Sequence, residues 1–300
     1  MSETTPDLSG PNRGGIPVRP GWTKLGVAAA ILASILAALY WPILGGLVTQ
    51  WWDDANYTHG FLVPVFSGFL VWRDRARLMA VAPRGSLPGL AMVTGGLGIL
   101  LLGSIGSENF LMRSSLIIVL SGLVLFHLGT RVLRILFFPL AFLFFMVPLP
   151  GVVFYAVTFP LQRLAAEQAA WTLDLLGVPV LLDGNVIHLS QISLGVTEAC
   201  SGIRSLISLV ASAVAWAYLM LPLGVIALAF VLSAIPITIF ANAARVVATG
   251  LIGQWLGVEY ASGFFHEFAG LSVYTLALAG LGGVYTLARR LGRSIGEPHK

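Results

Sequence analysis

Residues 223–250 read LGVIALAFVLSAIPITIFANAARVVATG, and the first charged side chain in the stretch is Arg245. An α-helix crosses the hydrocarbon core of a bilayer with about 20 apolar residues. This segment alone therefore predicts a membrane span. An arginine inside such a span costs about 3 kcal/mol at the bilayer centre, so its presence points to function. Asn242 stands three residues earlier, and both side chains project from one helix face.

The rest of the chain agrees. Its 300 residues are 57% hydrophobic and 10% charged, with a mean hydropathy of +0.89. A water-soluble domain carries about 25% charged residues, too many for this composition to match. Seven further candidate spans follow, at 22–47, 58–72, 87–106, 110–128, 132–149, 202–221 and 264–288. The fold class is all-α, a polytopic membrane protein with about eight transmembrane helices. Residues 1–21 read as a disordered cytoplasmic tail with no cleavable signal peptide, 22–288 as a single membrane domain, and 289–300 as a basic cytoplasmic tail. No internal repeat is visible.

Orientation follows from the cations. Arg13, Arg19, Lys24, Arg73, Arg75, Arg77, Arg84, Arg131, Arg134, Arg289, Arg290, Arg293 and Lys300 share one side if both termini are cytoplasmic. These are 13 of the 17 Lys and Arg residues, leaving Arg113, Arg163, Arg204 and Arg245 outside or at span ends. The positive-inside rule selects that orientation. Short basic clusters beside apolar runs, with no stripe of basic and aromatic residues, exclude nucleic acid as a partner. The partner they imply is the lipid bilayer.

One external stretch is more than a loop. In 151–177, Phe154, Val157, Leu161, Leu164 and Ala165 alternate with Gln162, Arg163, Glu167, Gln168 and Asp174, which predicts an amphipathic helix that lies at the interface or re-enters the protein. The stretch 178–196 is β-branched and alternating, with a turn at Asp183-Gly184-Asn185, and predicts a small β-hairpin leading toward Cys200.

On this topology Cys200, Arg245 and His266 gather at the extracytoplasmic ends of three helices. Cys200 is the single cysteine, so no intramolecular disulfide forms. A thiol with a pKa near 8.5 needs activation to attack, and the N-terminal end of a helix supplies positive potential. His266 is the candidate acid and base that protonates a leaving amine. Arg245 is the candidate for stabilising an oxyanion or holding a carboxylate. Arg204, one turn after the cysteine, adds positive charge or pairs with Glu198; His59 supports the site, and His188 belongs to the hairpin. Taken singly, each residue also has an ordinary reading: a cysteine that fills space, an arginine that snorkels, a histidine that donates at the interface. No CxxC, HExxH, Gly-rich phosphate loop or GxSxG elbow occurs, and nothing calls for a metal or organic cofactor.

The stretch Thr197-Glu198-Ala199-Cys200-Ser201-Gly202-Ile203-Arg204-Ser205-Leu206 resembles the cysteine motif of the exosortase/archaeosortase family. Pro236 through Arg245 resembles its arginine motif, and Gly263-Phe264-Phe265-His266 its histidine motif. His59-Gly60-Phe61-Leu62-Val63-Pro64 is similar to its early signature, and Asp183-Gly184-Asn185-Val186-Ile187 to its pre-cysteine segment. The resemblance implies a cysteine protease or transpeptidase embedded in the cell (inner) membrane, its site facing the periplasm or exterior. It implies Cys200 as nucleophile, His266 as acid/base and Arg245 as oxyanion or positioning group, with Asn242, Arg204, Glu198, Ser201 and His59 in support. The implied substrates are membrane-anchored proteins with a C-terminal sorting signal: a short Pro-Glu-Pro-like motif, a membrane helix and a basic cluster. A surface polymer is the implied acceptor. The periplasmic domain fused to some relatives is missing, so a separate accessory protein would supply it. Glu198 stands where many relatives have aspartate. Two other classes compete, a transporter or channel binding anions at Arg245, and a polymer ligase or glycosyltransferase needing no thiol.

Overall fold

The computed structural model describes residues 21–196, 202–222, 224–257 and 264–296, with side chains over 30–196, 202–222, 224–257 and 270–290. The helices are α1 (Gly21–Asp53), α2 (Leu62–Arg73), α3 (Arg75–Ala80), α4 (Pro88–Ile105), α5 (Asn109–Leu128), α6 (Thr130–Phe142), α7 (Gly151–Leu175), α8 (Ile203–Met220), α9 (Val225–Trp255) and α10 (Phe264–Gly296). Two 3-10 turns, η1 (Ala55–Phe61) and η2 (Leu143–Met146), precede α2 and α7. Strands β1 (Val180–Asp183), β2 (Val186–Leu189) and β3 (Ser193–Gly195) form one antiparallel sheet in that order. The expected hairpin is thus extended by a third strand.

Among the described residues six helices are long and apolar enough to cross a membrane, and the bent pair Thr130–Met146 plus Gly151–Leu175 makes a seventh if counted as one span. The chain is a multi-pass membrane protein. The difference from eight falls at 58–72. There α2 has 12 residues, about 18 Å of helix at 1.5 Å per residue, against about 30 Å of hydrocarbon. Residues 58–61, His59 among them, belong to η1 and leave α2 to start at Leu62. At the other end α10 runs through Arg289, Arg290 and Arg293 to Gly296, so that basic stretch is helical.

The described residues cluster into two compact units, where the sequence reads as one membrane domain. The first takes them from Met1–Gly45, Phe66–Ser107 and Leu111–Phe142; the second from Gly46–Val65, Glu108–Phe110 and Leu143–Lys300. In the first unit α4 meets α5 along Gly89, Gly96 and Gly103, spaced one heptad apart and all buried. A Cβ on Gly96 would come within 2.7 Å of Val119, and one on Gly103 within 2.9 Å of the Met112 backbone. Small residues permit this close approach, which supplies the van der Waals contact that hydrophobicity cannot supply in lipid. The same unit buries Tyr40, whose hydroxyl shares a 2.9 Å hydrogen bond with Ser115.

The second unit has two apolar centres. Leu209, Ala213, Phe230, Ala234, Ala277 and Leu281 join α8, α9 and α10. Ala165, Ala166, Ala169 and Leu173 of α7 pack with Ile187, Leu189 and Val196 of the sheet region and Val246 of α9. The amphipathic reading of 151–177 therefore holds in kind: α7 buries an alanine-rich stripe and leaves the Arg163–Glu167 pair exposed at 2.7 Å.

Candidate active site

Helix α9 carries the described part of the site. Asn242 is 5% exposed and Arg245, one turn later, is half-buried. Pro236 lies inside the helix six residues before Asn242 and has no N–H to give the preceding turn. Thr238 is buried and returns its hydroxyl to the Ala234 carbonyl at 2.8 Å. The Arg245 carbonyl accepts from the Thr249 hydroxyl at 2.9 Å.

Two glycines bring neighbouring elements onto that face. Gly202 caps the N-terminus of α8 with φ +79°, in the left-handed region that glycine occupies without penalty. A Cβ there would lie 3.0 Å from Asn242 Cγ and 3.1 Å from its Cβ. Gly270 belongs to α10, and a Cβ on it would lie 3.6 Å from Arg245 Nη1. Ser212 of α8 and Tyr274 of α10 meet at 3.4 Å between hydroxyl oxygens. Thus the chain two residues past Cys200 abuts Asn242, and the helix one turn past His266 abuts Arg245.

Cys200, Glu198 and Ser201 lie outside the described residues, and so does the side chain of His266, whose backbone sits in the first turn of α10. Arg204 is exposed on the first turn of α8. His188 sits on β2, its Nδ1 2.8 Å from the Ser193 hydroxyl across the β2–β3 pair, as the sheet reading expects.

The sheet sets the approach to the cysteine. Gly184, at φ +60°, turns β1 into β2 as the first residue of a two-residue loop. Asn185 Nδ2 donates to the Val196 carbonyl at 3.0 Å, and the Val196 N–H donates to the Asn185 carbonyl at 2.8 Å. That double bond ties the chain four residues before Cys200. The Gln254 amide oxygen accepts from the Gln191 N–H at 3.2 Å and joins the β2–β3 turn to the end of α9.

His59 is placed differently from the other candidates. Its Nε2 lies 3.1 Å from the Phe145 carbonyl, and its Nδ1 is buried. Desolvation by burial pushes its pKa below the ordinary value, with the Phe145 and Asn56 carbonyls acting the other way. The turn that holds it, η1, packs against both η2 and α8.

Sequence reasoning misses Gly202, Gly270 and Trp51. The signal for the glycines was spacing, Gly202 two residues after the cysteine and Gly270 four after the histidine. Trp51, near the end of α1, carries no such signal; its indole is buried with its N–H on the Met146 carbonyl.

All five sequence blocks quoted above fall in the second unit, on or beside η1, the sheet, α8, α9 and α10. The molecule is therefore a polytopic membrane protein in which Gly202 before α8 and Gly270 of α10 approach the Asn242–Arg245 face of α9. Residues 51–283 match the family described as Transmembrane exosortase (Exosortase_EpsH). The chain belongs to that family. Among curated proteins and solved structures, none matches the chain.

Proposed function

We propose that the protein cleaves the C-terminal sorting signal of membrane-anchored proteins by acyl transfer through Cys200. The observation that carries this reading is the convergence of Gly202 and Gly270 on the Asn242–Arg245 face. It supports a cysteine segment and a histidine helix meeting at one guanidinium.

The Cys200 thiolate adds to the scissile carbonyl, and the oxygen takes up negative charge that Arg245 stabilises. His266 protonates the departing amine, the carbon–nitrogen bond breaks, and a thioester remains on Cys200. Water or an amine on a surface polymer then attacks the thioester, with His266 accepting the proton, and the thiolate is regenerated. A separate periplasmic protein would assist substrates that need one.

Depth supports the placement. Arg245 stands 20 residues from the start of α9 at Val225, about 30 Å along the helix, which is the hydrocarbon thickness. The last ten residues of α9 and the sheet packed on them extend beyond that level. With both termini cytoplasmic, the site faces the exterior of the cell (inner) membrane. That orientation needs α2 to return the chain across with about 18 Å of helix, which local bilayer thinning accommodates.

The test is reconstitution with a substrate carrying a sorting motif, one membrane helix and a basic tail. Wild-type protein releases the processed product and accumulates a thioester adduct on Cys200, while Cys200→Ala does neither and remains folded. Full processing by Cys200→Ala would leave a transporter or a thiol-free ligase as the better description.

A further inference from the structure

The chain breaks between η2 and α7 at Pro148-Leu149-Pro150, and the break takes the helical i+4 partners away from two carbonyls. In an α-helix the carbonyl of residue i accepts from the N–H of residue i+4. Met146 would need the N–H of Pro150, which has none. Phe145 would need that of Leu149, which stands between the two prolines where the helix has stopped. Unsatisfied carbonyls in a membrane protein are costly, and irregular backbone is tolerated only where other groups satisfy it.

Two side chains, from η1 and the end of α1, bond to these carbonyls. Trp51 Nε1–H donates to the Met146 carbonyl at 2.9 Å, and His59 Nε2 meets the Phe145 carbonyl at 3.1 Å. A carbonyl only accepts, so Nε2 carries the proton and the neutral ring is the Nε2–H tautomer. Gly60 lets the indole pass, because a Cβ there would fall 2.6 Å from Trp51 Cδ1. Tyr57 completes the seat, with its ring 6.3 Å from Phe154 in the first turn of α7. Phe61 meets the Trp51 ring edge-on at 5.2 Å. With Nε2 committed to a carbonyl and Nδ1 buried, His59 has no nitrogen to offer a substrate.

We propose that His59 is a positioning residue: with Trp51 it clamps the Phe145 and Met146 carbonyls at the η2–α7 break and so fixes η1 against α8, the helix that follows Cys200. The clamp is a matter of geometry alone. Its effect on turnover rests on the function proposed above.

The test uses the full chain in nanodiscs and two readouts. Because Cys200 is the single cysteine, Leu149→Cys in a Cys200→Ala background takes one spin label at the break. The label should be immobilised with His59 or His59→Gln, which restores an N–H at the Nε2 position, and mobile with His59→Leu or Trp51→Phe. In the Cys200 protein, His59→Leu should lower kcat by about 10- to 100-fold, as small misplacements do, with KM within about twofold. His59→Gln should recover most of that loss. A label equally immobile in His59→Leu overturns the clamp, as does a His59→Gln variant no better than His59→Leu. A mobile label with unchanged kcat overturns the positioning role. Failure of the wild-type chain to process any sorting signal removes the proposed function instead, and the spin-label result then decides the clamp by itself.

Discussion

The two units are held together differently. The first rests on close helix packing, with glycines at Gly89, Gly96 and Gly103 bringing α4 onto α5 and hydroxyls such as Ser121 bonding back within their own helix. The second breaks the chain at Pro148 and Pro150, inserts a sheet, and buries Gln162, Thr238 and Asn242. Each interruption is then repaired by a named partner: Trp51 and His59 at the broken span, Asn185 at the approach to the cysteine, Gln254 at the sheet turn. Departures from local rules cluster at functional sites because stability is given up there for geometry. The first unit has departures of its own, Pro42 and Pro139 inside helices and the buried Asp74 and Arg113, and none of them is among the quoted motifs.

Substitutions should separate the units by what they damage. The largest effect belongs to Cys200→Ala, which should lower substrate processing by at least about 10⁴-fold with an unchanged melting transition. Arg245→Lys follows, with a loss of about 10²- to 10³-fold, because an ammonium cannot reproduce the guanidinium fork; wild-type turnover by this variant would remove Arg245 from the oxyanion role. Next comes a matched pair of glycine substitutions. Gly202→Ala should cost about 1–2 kcal/mol from its left-handed backbone and slow processing about tenfold or more by pressing on Asn242, an effect of misplacement. Gly96→Ala should cost about 1–3 kcal/mol of stability by overpacking, while the folded fraction processes at the wild-type rate. Equal catalytic loss in both would abolish the division between the units.

The smallest effect is one of pH. Burial holds the His59 pKa below its ordinary 6.5, so as pH falls the unfolded chain takes up this proton before the folded one does. The stability this imidazole contributes is whole above the ordinary value and drains away as pH drops through the window beneath it. Thermal unfolding between pH 7.5 and 5 should show that decline, and His59→Gln should flatten it relative to wild type.

The spans were legible because lipid allows so few solutions: runs such as 87–106 and 110–128 coincide with α4 and α5 to within two residues. The second span was not, because His59, Gly60 and Asn56 belong to a turn whose partners come from residues almost 90 positions away. The third strand was missed for a related reason, since Ser193–Gly195 has little alternation of its own and is held by pairing with β2. In the site, the candidate residue types could be picked out from charge, hydropathy and spacing. The contacts that organise it could not, because Gly202 and Gly270 have no side chain to announce a role. Helix α9 also continues to Trp255, ten residues past Arg245, so Arg245 does not stand at its end.

That overshoot makes α9 a gauge. A helix has a fixed rise per residue, so the path along α9 from Val225 to Arg245 is about 30 Å in any bilayer. The bilayer around it is not constant, and hydrocarbon thickness changes with acyl-chain length and sterol or hopanoid-like packing. On the placement proposed above, the guanidinium sinks below the water line in a thicker leaflet pair and rises into the headgroups in a thinner one. A substrate of the proposed kind, anchored by its own helix, is measured against the same membrane. On that reading the two stay in register only where both are matched to one lipid composition.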